Sequence, residues 1–165
     1  FNKEKIIENL EKKDTLGKVN FDSVIISAFD ETLKSITTSL IYTDVTPKKT
    51  YFITLNQWFD ESLLNEDSSQ NLYFPSVNKK NFDDFKQEYF KKYSSEPNQI
   101  SLLGFDMVGL IFYLSKVNNF QLNNKIFDQK NTFKGKIGLF EIEDKRIKHV
   151  LNFYKVENNK FKKIF

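Results

Sequence analysis

Two short apolar runs separated by one amphipathic stretch constrain this chain more than any other feature. Phe21-Asp22-Ser23-Val24-Ile25-Ile26-Ser27 is rich in β-branched residues and suits a buried parallel strand. In the stretch that follows, Leu33, Ile36, Leu40 and Ile41 fall on one face of a helix, with Asp30 placed to cap its start. Pro47 ends that stretch, and Tyr51-Phe52-Ile53-Thr54-Leu55 reads as a second buried strand. Strand, helix and strand within about 35 residues is the signature of a right-handed crossover in a parallel sheet. The predicted fold class is therefore α/β, a Rossmann-like parallel sheet with flanking helices.

The remaining segments add to that frame. Lys3 to Lys13 carries Ile6, Ile7 and Leu10 at helical spacing, and Gly17 offers a turn. Asn71-Leu72-Tyr73-Phe74 is a third candidate strand, closed by Pro75. From Asn81 to Tyr93 a helix places Phe82, Phe85, Tyr89 and Tyr93 in a stripe, read as a face packed on the core. Gln99 to Lys116 is apolar on nearly every side, the mark of a buried helix. Gly104, Asp106 and Gly109 interrupt that run, so the sequence reads it as too short and broken to span a bilayer. Asp106 inside it needs a hydrogen-bonding partner, which predicts a structural role. Near the end, Lys134-Gly135-Lys136-Ile137-Gly138 marks a turn before Leu139-Phe140-Glu141-Ile142. Arg146 to Val156 alternates as one strand, with Ile147, His149, Leu151 and Phe153 on one face. Glu157-Asn158-Asn159-Lys160 then turns into Phe161 to Phe165, which predicts a C-terminal antiparallel hairpin.

Composition removes several classes of function. With 39% hydrophobic residues and 18 Phe in 165 residues, the chain has ample material for a core and is not a disordered segment. Cysteine is absent, which excludes a disulfide or a thiolate metal site. The net charge is +3, and Arg146 is the single arginine. Planar guanidinium forks are the usual readers of phosphate and base edges, so nucleic-acid recognition is not expected. Phe1-Asn2-Lys3-Glu4-Lys5 is no basic lead into an apolar stretch, and the chain opens without Met inside a helical pattern. It reads as a fragment or processed product, and the absent signal peptide carries no information on localisation.

Catalytic patterns are not found. His149 is the sole histidine, mid-strand beside Lys148, with no nucleophile signature near it. The acidic pairs Asp30-Glu31, Asp60-Glu61 and Asp83-Asp84 are sequence neighbours that lie near helix starts, where negative charge is stabilising. The five glycines match no phosphate-cradling spacing. No catalytic residue, metal ligand or cofactor is predicted. Geometry remains, because ligands of open α/β sheets sit beyond the carboxyl ends of the strands. Two such ends are visible, Ser27-Ala28-Phe29-Asp30 and Thr54-Leu55-Asn56-Gln57-Trp58. They nominate Phe29, Asp30, Asn56, Gln57 and Trp58 as a site for a small polar ligand.

The order of these features resembles the C-terminal half of type I periplasmic solute-binding proteins, the branched-chain amino-acid receptor group. Phe21 to Ile26 followed by Phe29-Asp30-Glu31 and a helix is similar to that family's second-lobe segment. Thr50 to Trp58 matches its next strand, and Asn71 to Pro75 the strand that crosses toward the first lobe. Phe82, Phe85, Tyr89, Tyr93 and Pro97 follow the family's aromatic and proline spacing. Phe105-Asp106-Met107-Val108 stands where the family has Tyr-Asp-Ala-Val, and Phe133 to Phe140 resembles its Phe-x-Gly-x-x-Gly-x-x-Phe turn.

The resemblance implies part of a two-lobed protein. Residues 1–75 would be βα units of the second lobe, and 76–120 a helical segment of the first lobe or hinge. Residues 121–165 would return to the second lobe and its hairpin. It also implies a non-enzymatic receptor component in the periplasm or cell envelope, serving an ABC importer's membrane subunits with an amino acid or related polar solute. The family's acidic position for a ligand ammonium falls at Asn56, which lacks the charge, and its aromatic ligand contact falls at or near Phe29. Penicillin-binding protein activator lipoproteins are similar too, and that likeness implies contact with a cell-wall synthase. A chain lacking the other lobe would leave the apolar run around Phe105 to Leu114 uncovered, which predicts that it dimerises, exchanges elements or pairs with the missing half.

Overall fold

The computed structural model describes residues 19–43, 45–121, 127–128 and 130–165. The helix predicted over Lys3 to Lys13 and the turn at Gly17 lie outside them. The chain is mixed α/β, with a parallel sheet, flanking helices and a separate antiparallel sheet. It divides into two compact units, residues up to Pro75 with Phe153–Phe165, and Ser76–Asn152. Residues 121–152 thus cluster with the helical segment 76–120, whereas the sequence placed a boundary at 120.

The first unit contains β1 (Ser23–Ile26), α1 (Asp30–Tyr42), β2 (Tyr51–Thr54), two short 3₁₀ segments (Glu61–Asn65 and Asp67–Ser69), β3 (Leu72–Ser76), β7 (Asn152–Glu157) and β8 (Lys160–Lys163). The sheet order is β1-β2-β3-β7-β8. β1 and β2 run parallel in the register Ser23↔Tyr51 to Ile26↔Thr54, as the strand–helix–strand spacing predicts. Pro75, expected as a stop, lies inside β3. It is tolerated because the β2 pairing covers only Phe52↔Leu72 and Ile53↔Tyr73, so no ladder bond to β2 needs its missing N–H. On α1, Leu33 and Thr37 are buried, while Ile36, Leu40 and Ile41 are half-buried. Thr37 and Thr38 hydroxyls both donate to Ser68 Oγ, at 3.2 and 3.1 Å, which ties the helix to the loop before β3.

Aromatic packing fills the first unit's core. The Phe59 ring meets Tyr154 edge-on at 4.9 Å and Phe161 at 5.5 Å, and Phe74 stacks on Tyr154 at 5.9 Å. Such geometry adds to burial because ring edges are positive and faces negative. The C-terminal hairpin forms with Glu157 opposite Lys160, and Asn158 and Asn159 both take positive φ. Two-residue turns of that kind match the twist of the strands, and asparagine tolerates the conformation.

The second unit contains α2 (Lys79–Tyr93), α3 (Gln99–Val117), β4 (Asn131–Lys134), β5 (Leu139–Glu143) and β6 (Arg146–Val150). Asn78 and Asn98 cap the two helices, accepting from the backbone N–H groups of Asn81 at 3.1 Å and Ser101 at 2.8 Å. β4, β5 and β6 form an antiparallel meander. The single strand predicted over Arg146 to Val156 is two strands in different sheets. Alternation reports which face a side chain takes, not which neighbour its backbone pairs with. Asp83 and Asp84 sit beyond the first turn of α2 and pair with Lys79 and Lys80, rather than marking a helix start.

α3 departs most from expectation. It buries one stripe, Leu102, Asp106, Leu110 and Leu114, and its other sides are exposed. Leu110 and Leu114 pack with Ile142, against Tyr113, Phe127 and Phe133. By length and composition alone α3 is long and apolar enough to cross a membrane, contrary to the sequence reading.

Candidate functional site

Ile26 and Thr54 are register partners that end β1 and β2, so the chain leaves both strands along one edge. The Thr54 hydroxyl donates to the Ile26 carbonyl at 2.8 Å. Gln57 Nε2 lies 2.9 Å from Thr54 Oγ1 and 3.1 Å from the Ala28 carbonyl. A third acceptor, the Leu55 carbonyl, is 3.2 Å away. Gln57 is 4% exposed. Its amide nitrogen is a brace between the two strand ends.

The other four residues line the same edge in more open positions. Phe29 is exposed and occupies the N-cap of α1, its carbonyl accepting from Leu33 N–H at 3.1 Å. Asp30 is therefore the first helical residue, exposed, and makes no cap, contrary to the role the sequence suggested. Asn56 Oδ1 accepts from the Trp58 N–H at 3.0 Å and shapes the turn after β2. Asp30, Trp58 and Phe59 all take positive φ, at 49°, 50° and 59°. Aspartate visits this region at modest cost, whereas bulky residues there are uncommon and strained. Such strain concentrates at functional edges, where the surrounding structure holds it in place.

The second unit carries a different arrangement. Asp106 Oδ1 and Oδ2 accept the backbone N–H groups of Lys136 and Ile137 in the β4–β5 turn, and Gly135 N–H donates to the Gly138 carbonyl at 2.8 Å. A methyl group on Gly135 would collide with the Asp106 carboxylate, and one on Gly138 with the His149 imidazole. The glycine spacing read from the sequence thus makes room for two polar side chains. His149 stacks on Phe140 at 4.3 Å, and its buried Nε2 has no hydrogen-bond partner among the described residues. Burial holds its pKa below the ordinary value, opposed by the Asp106 charge. With Asp106 given over to backbone donors, this is no acid–base pair. Among the described residues, no cluster of His, Cys, Asp or Glu could hold a metal ion.

Between α2 and α3 lies an apolar groove of about 740 Å³, lined by Phe85, Tyr89, Tyr93, Phe105, Val108 and Phe112, with Glu88 and Lys92 at its margin. Sequence reading missed it by treating α3 as buried all round. The signal was present: from Gln99 to Ser115 the only charged residue is Asp106.

No protein-family model matches the sequence, and no curated protein matches it. Among solved structures, the chain is similar to the extracellular ligand binding receptor from Desulfohalobium retbaense DSM5692. That likeness has a TM-score of 0.60 at 15% identity and covers 96% of this chain but 28% of that one. The chain therefore spans less than a third of the receptor's length. At this identity the likeness establishes the fold: nearly the whole of this chain is built like one part of a ligand-binding receptor.

Proposed function

We propose that this chain is a non-enzymatic, ligand-binding component of an extracytoplasmic receptor, taking a small polar solute at the carboxyl ends of β1 and β2. The carrying observation is the edge itself, where exposed Phe29 and Asp30, half-buried Asn56 and Trp58, and strained backbone at Asp30 and Trp58 lie together. Open parallel sheets present ligands at such edges. In this reading Phe29 and Trp58 supply aromatic faces, Asp30 a charge for a cationic group, and Asn56 a neutral polar contact. Gln57 and Thr54 keep the two strand ends together. The likeness to an extracellular ligand binding receptor supports the reading at the level of fold. A solute held here would be handed to the membrane subunits of an ABC importer.

A thermal-shift screen of the chain against amino acids and related small polar acids tests this. Ligand at about 100 times its Kd stabilises by about 2.7 kcal/mol, well within detection. A shift that disappears in Phe29→Ala is the expected result. Silence across the panel, or a shift indifferent to Phe29→Ala and Asp30→Asn, overturns the site.

A further inference from the structure

We infer that a separate polar cavity inside the second unit binds a small hydroxy acid. The cavity holds about 320 Å³, at the lower end for small-molecule sites. The start of α2 supplies Asn78 and Asn81, the β4–β5 turn supplies Lys134, Gly135 and Gly138, and Asn152 follows β6. All six lie between Ser76 and Asn152, so one compact unit builds the whole site.

The polar groups around this cavity are largely unspent. Asn78 Oδ1 is occupied as the cap of α2, accepting from the Asn81 N–H at 3.1 Å. By contrast, the Asn81 and Asn152 side-chain amides and the Lys134 ammonium group have no partner among the described residues. Asn81 and Asn152 are half-buried, so their amides meet less water than a surface asparagine does. His149 Nε2 stands against Gly138 in the wall, buried and also unpartnered among the described residues. Polar groups withdrawn from water are ordinarily hydrogen-bonded, and a guest in the cavity would satisfy these.

The lining sets the class of guest. It contains one cation and no carboxylate, which favours an anion. Asp106 lies beside Gly135, but both its oxygens are taken up by the N–H groups of Lys136 and Ile137. Primary amides both donate and accept, so Asn81 and Asn152 suit hydroxyl groups. A bare phosphate would use Lys134 and the amide donors, and would leave the two amide oxygens idle. Leu139 and Val150 complete the lining with apolar surface for C–H groups. At about 30 Å³ per water-sized group, the volume has room for roughly ten such groups. A three- or four-carbon acid carrying hydroxyls fits that space.

The test is an NMR titration of the isotope-labelled chain with D-glycerate, glycerol and propionate, each to about 10 mM. With glycerate, the Asn81 and Asn152 side-chain NH₂ signals should move together along one saturable curve. Glycerol lacks the carboxylate and propionate the hydroxyls, so each should bind about tenfold more weakly or worse. Lys134→Gln, at an exposed position, should weaken glycerate by a similar factor. Lys49→Gln makes the same charge change at an exposed position in the first unit and should leave the curve unaltered. Unmoved Asn81 and Asn152 signals, equal binding of the three probes, or a curve indifferent to Lys134→Gln would overturn the assignment. Movement of the Trp58 indole signal in place of the asparagine pair would put the acid at the edge of β1 and β2, and would overturn it too. Silence in the solute screen at that edge leaves this inference standing, because the two sites share no residue.

Discussion

Asp106 in the middle of α3 accepts the backbone N–H of Lys136 at 2.6 Å, thirty residues further along the chain, and that of Ile137 at 2.9 Å. One buried carboxylate thereby holds the turn of a sheet against a helix. Hydrogen bonds to a charged group contribute about 1.5–3 kcal/mol each, and an orphaned buried N–H costs a similar amount. Asp106→Ala should therefore destabilise the chain by about 3 kcal/mol or more. Asp106→Asn, which keeps one accepting oxygen, should lose about half as much. Urea titration of the two variants checks the ranking; equal loss in both would show that the charged, two-oxygen acceptor matters here and side-chain shape does not.

His149 makes stability depend on pH. Burial holds its pKa below 6.5 in the folded chain. As pH falls through 6.5 the unfolded chain takes up a proton that the folded one refuses, so stability is complete above that value and declines below it. The decline stops once the folded imidazole is protonated too. His149→Phe keeps the stack on Phe140 and removes the titration. Its stability curve should be flatter than that of the parent below pH 6.5, and parallel curves would refute the point.

Gln57 is the residue on which the nominated ligand edge depends for shape. Gln57→Ala removes the donor that reaches Ala28 and Thr54, and should cost about 1–3 kcal/mol by denaturant titration. Phe29→Ala, at an exposed position, should leave stability within about 0.5 kcal/mol. A costly Phe29→Ala would mean that this ring is structural and would weaken its assignment to a ligand.

The hairpin joining β5 and β6 turns on Asp144 and Lys145, both at positive φ, 50° and 61°. Lysine has no local hydrogen bond to offset that conformation, and a left-handed residue other than glycine costs about 1–2 kcal/mol. Lys145→Gly relieves the strain and surrenders only the exposed contact to Asp128. A gain of about 0.5–1 kcal/mol is expected, less than the strain because glycine loses more entropy on folding. A higher urea midpoint reports it.

Acid should act on the other hairpin. Lys155 and Lys162 hold the Glu157 carboxyl at about 2, below its ordinary 4.5. Its contribution is present above pH 4.5 and fades as pH falls toward 2. Amide exchange across β7 and β8 should accelerate over that window, and Glu157→Gln should abolish the acceleration.

The parallel sheet was legible because it is written locally. Val24, Ile25 and Ile26, the α1 stretch, and Phe52 and Ile53 lie close in sequence, and spacing alone forces a crossover. Asn158 and Asn159 announced their turn through their own tolerance of positive φ. Asp106 was legible as a structural group because a buried carboxylate must find donors, although its donors lie thirty residues away. The candidate edge was half legible. Topology put Phe29, Asp30, Asn56, Gln57 and Trp58 together, but only the fold showed Gln57 turned inward as a brace.

What the sequence determined by itself is the set of periodicities: which segments are helix, which are strand, and where the chain turns. Those follow from contacts a few residues apart, which every part of the chain carries within itself. Only the tertiary structure decided where the run from Arg146 to Val156 divides between two sheets, and which side of α3 is buried. Both are choices of partner among surfaces that read alike in sequence. An apolar helix states that it will be covered, and the fold alone reveals that the described residues bury only one stripe of it.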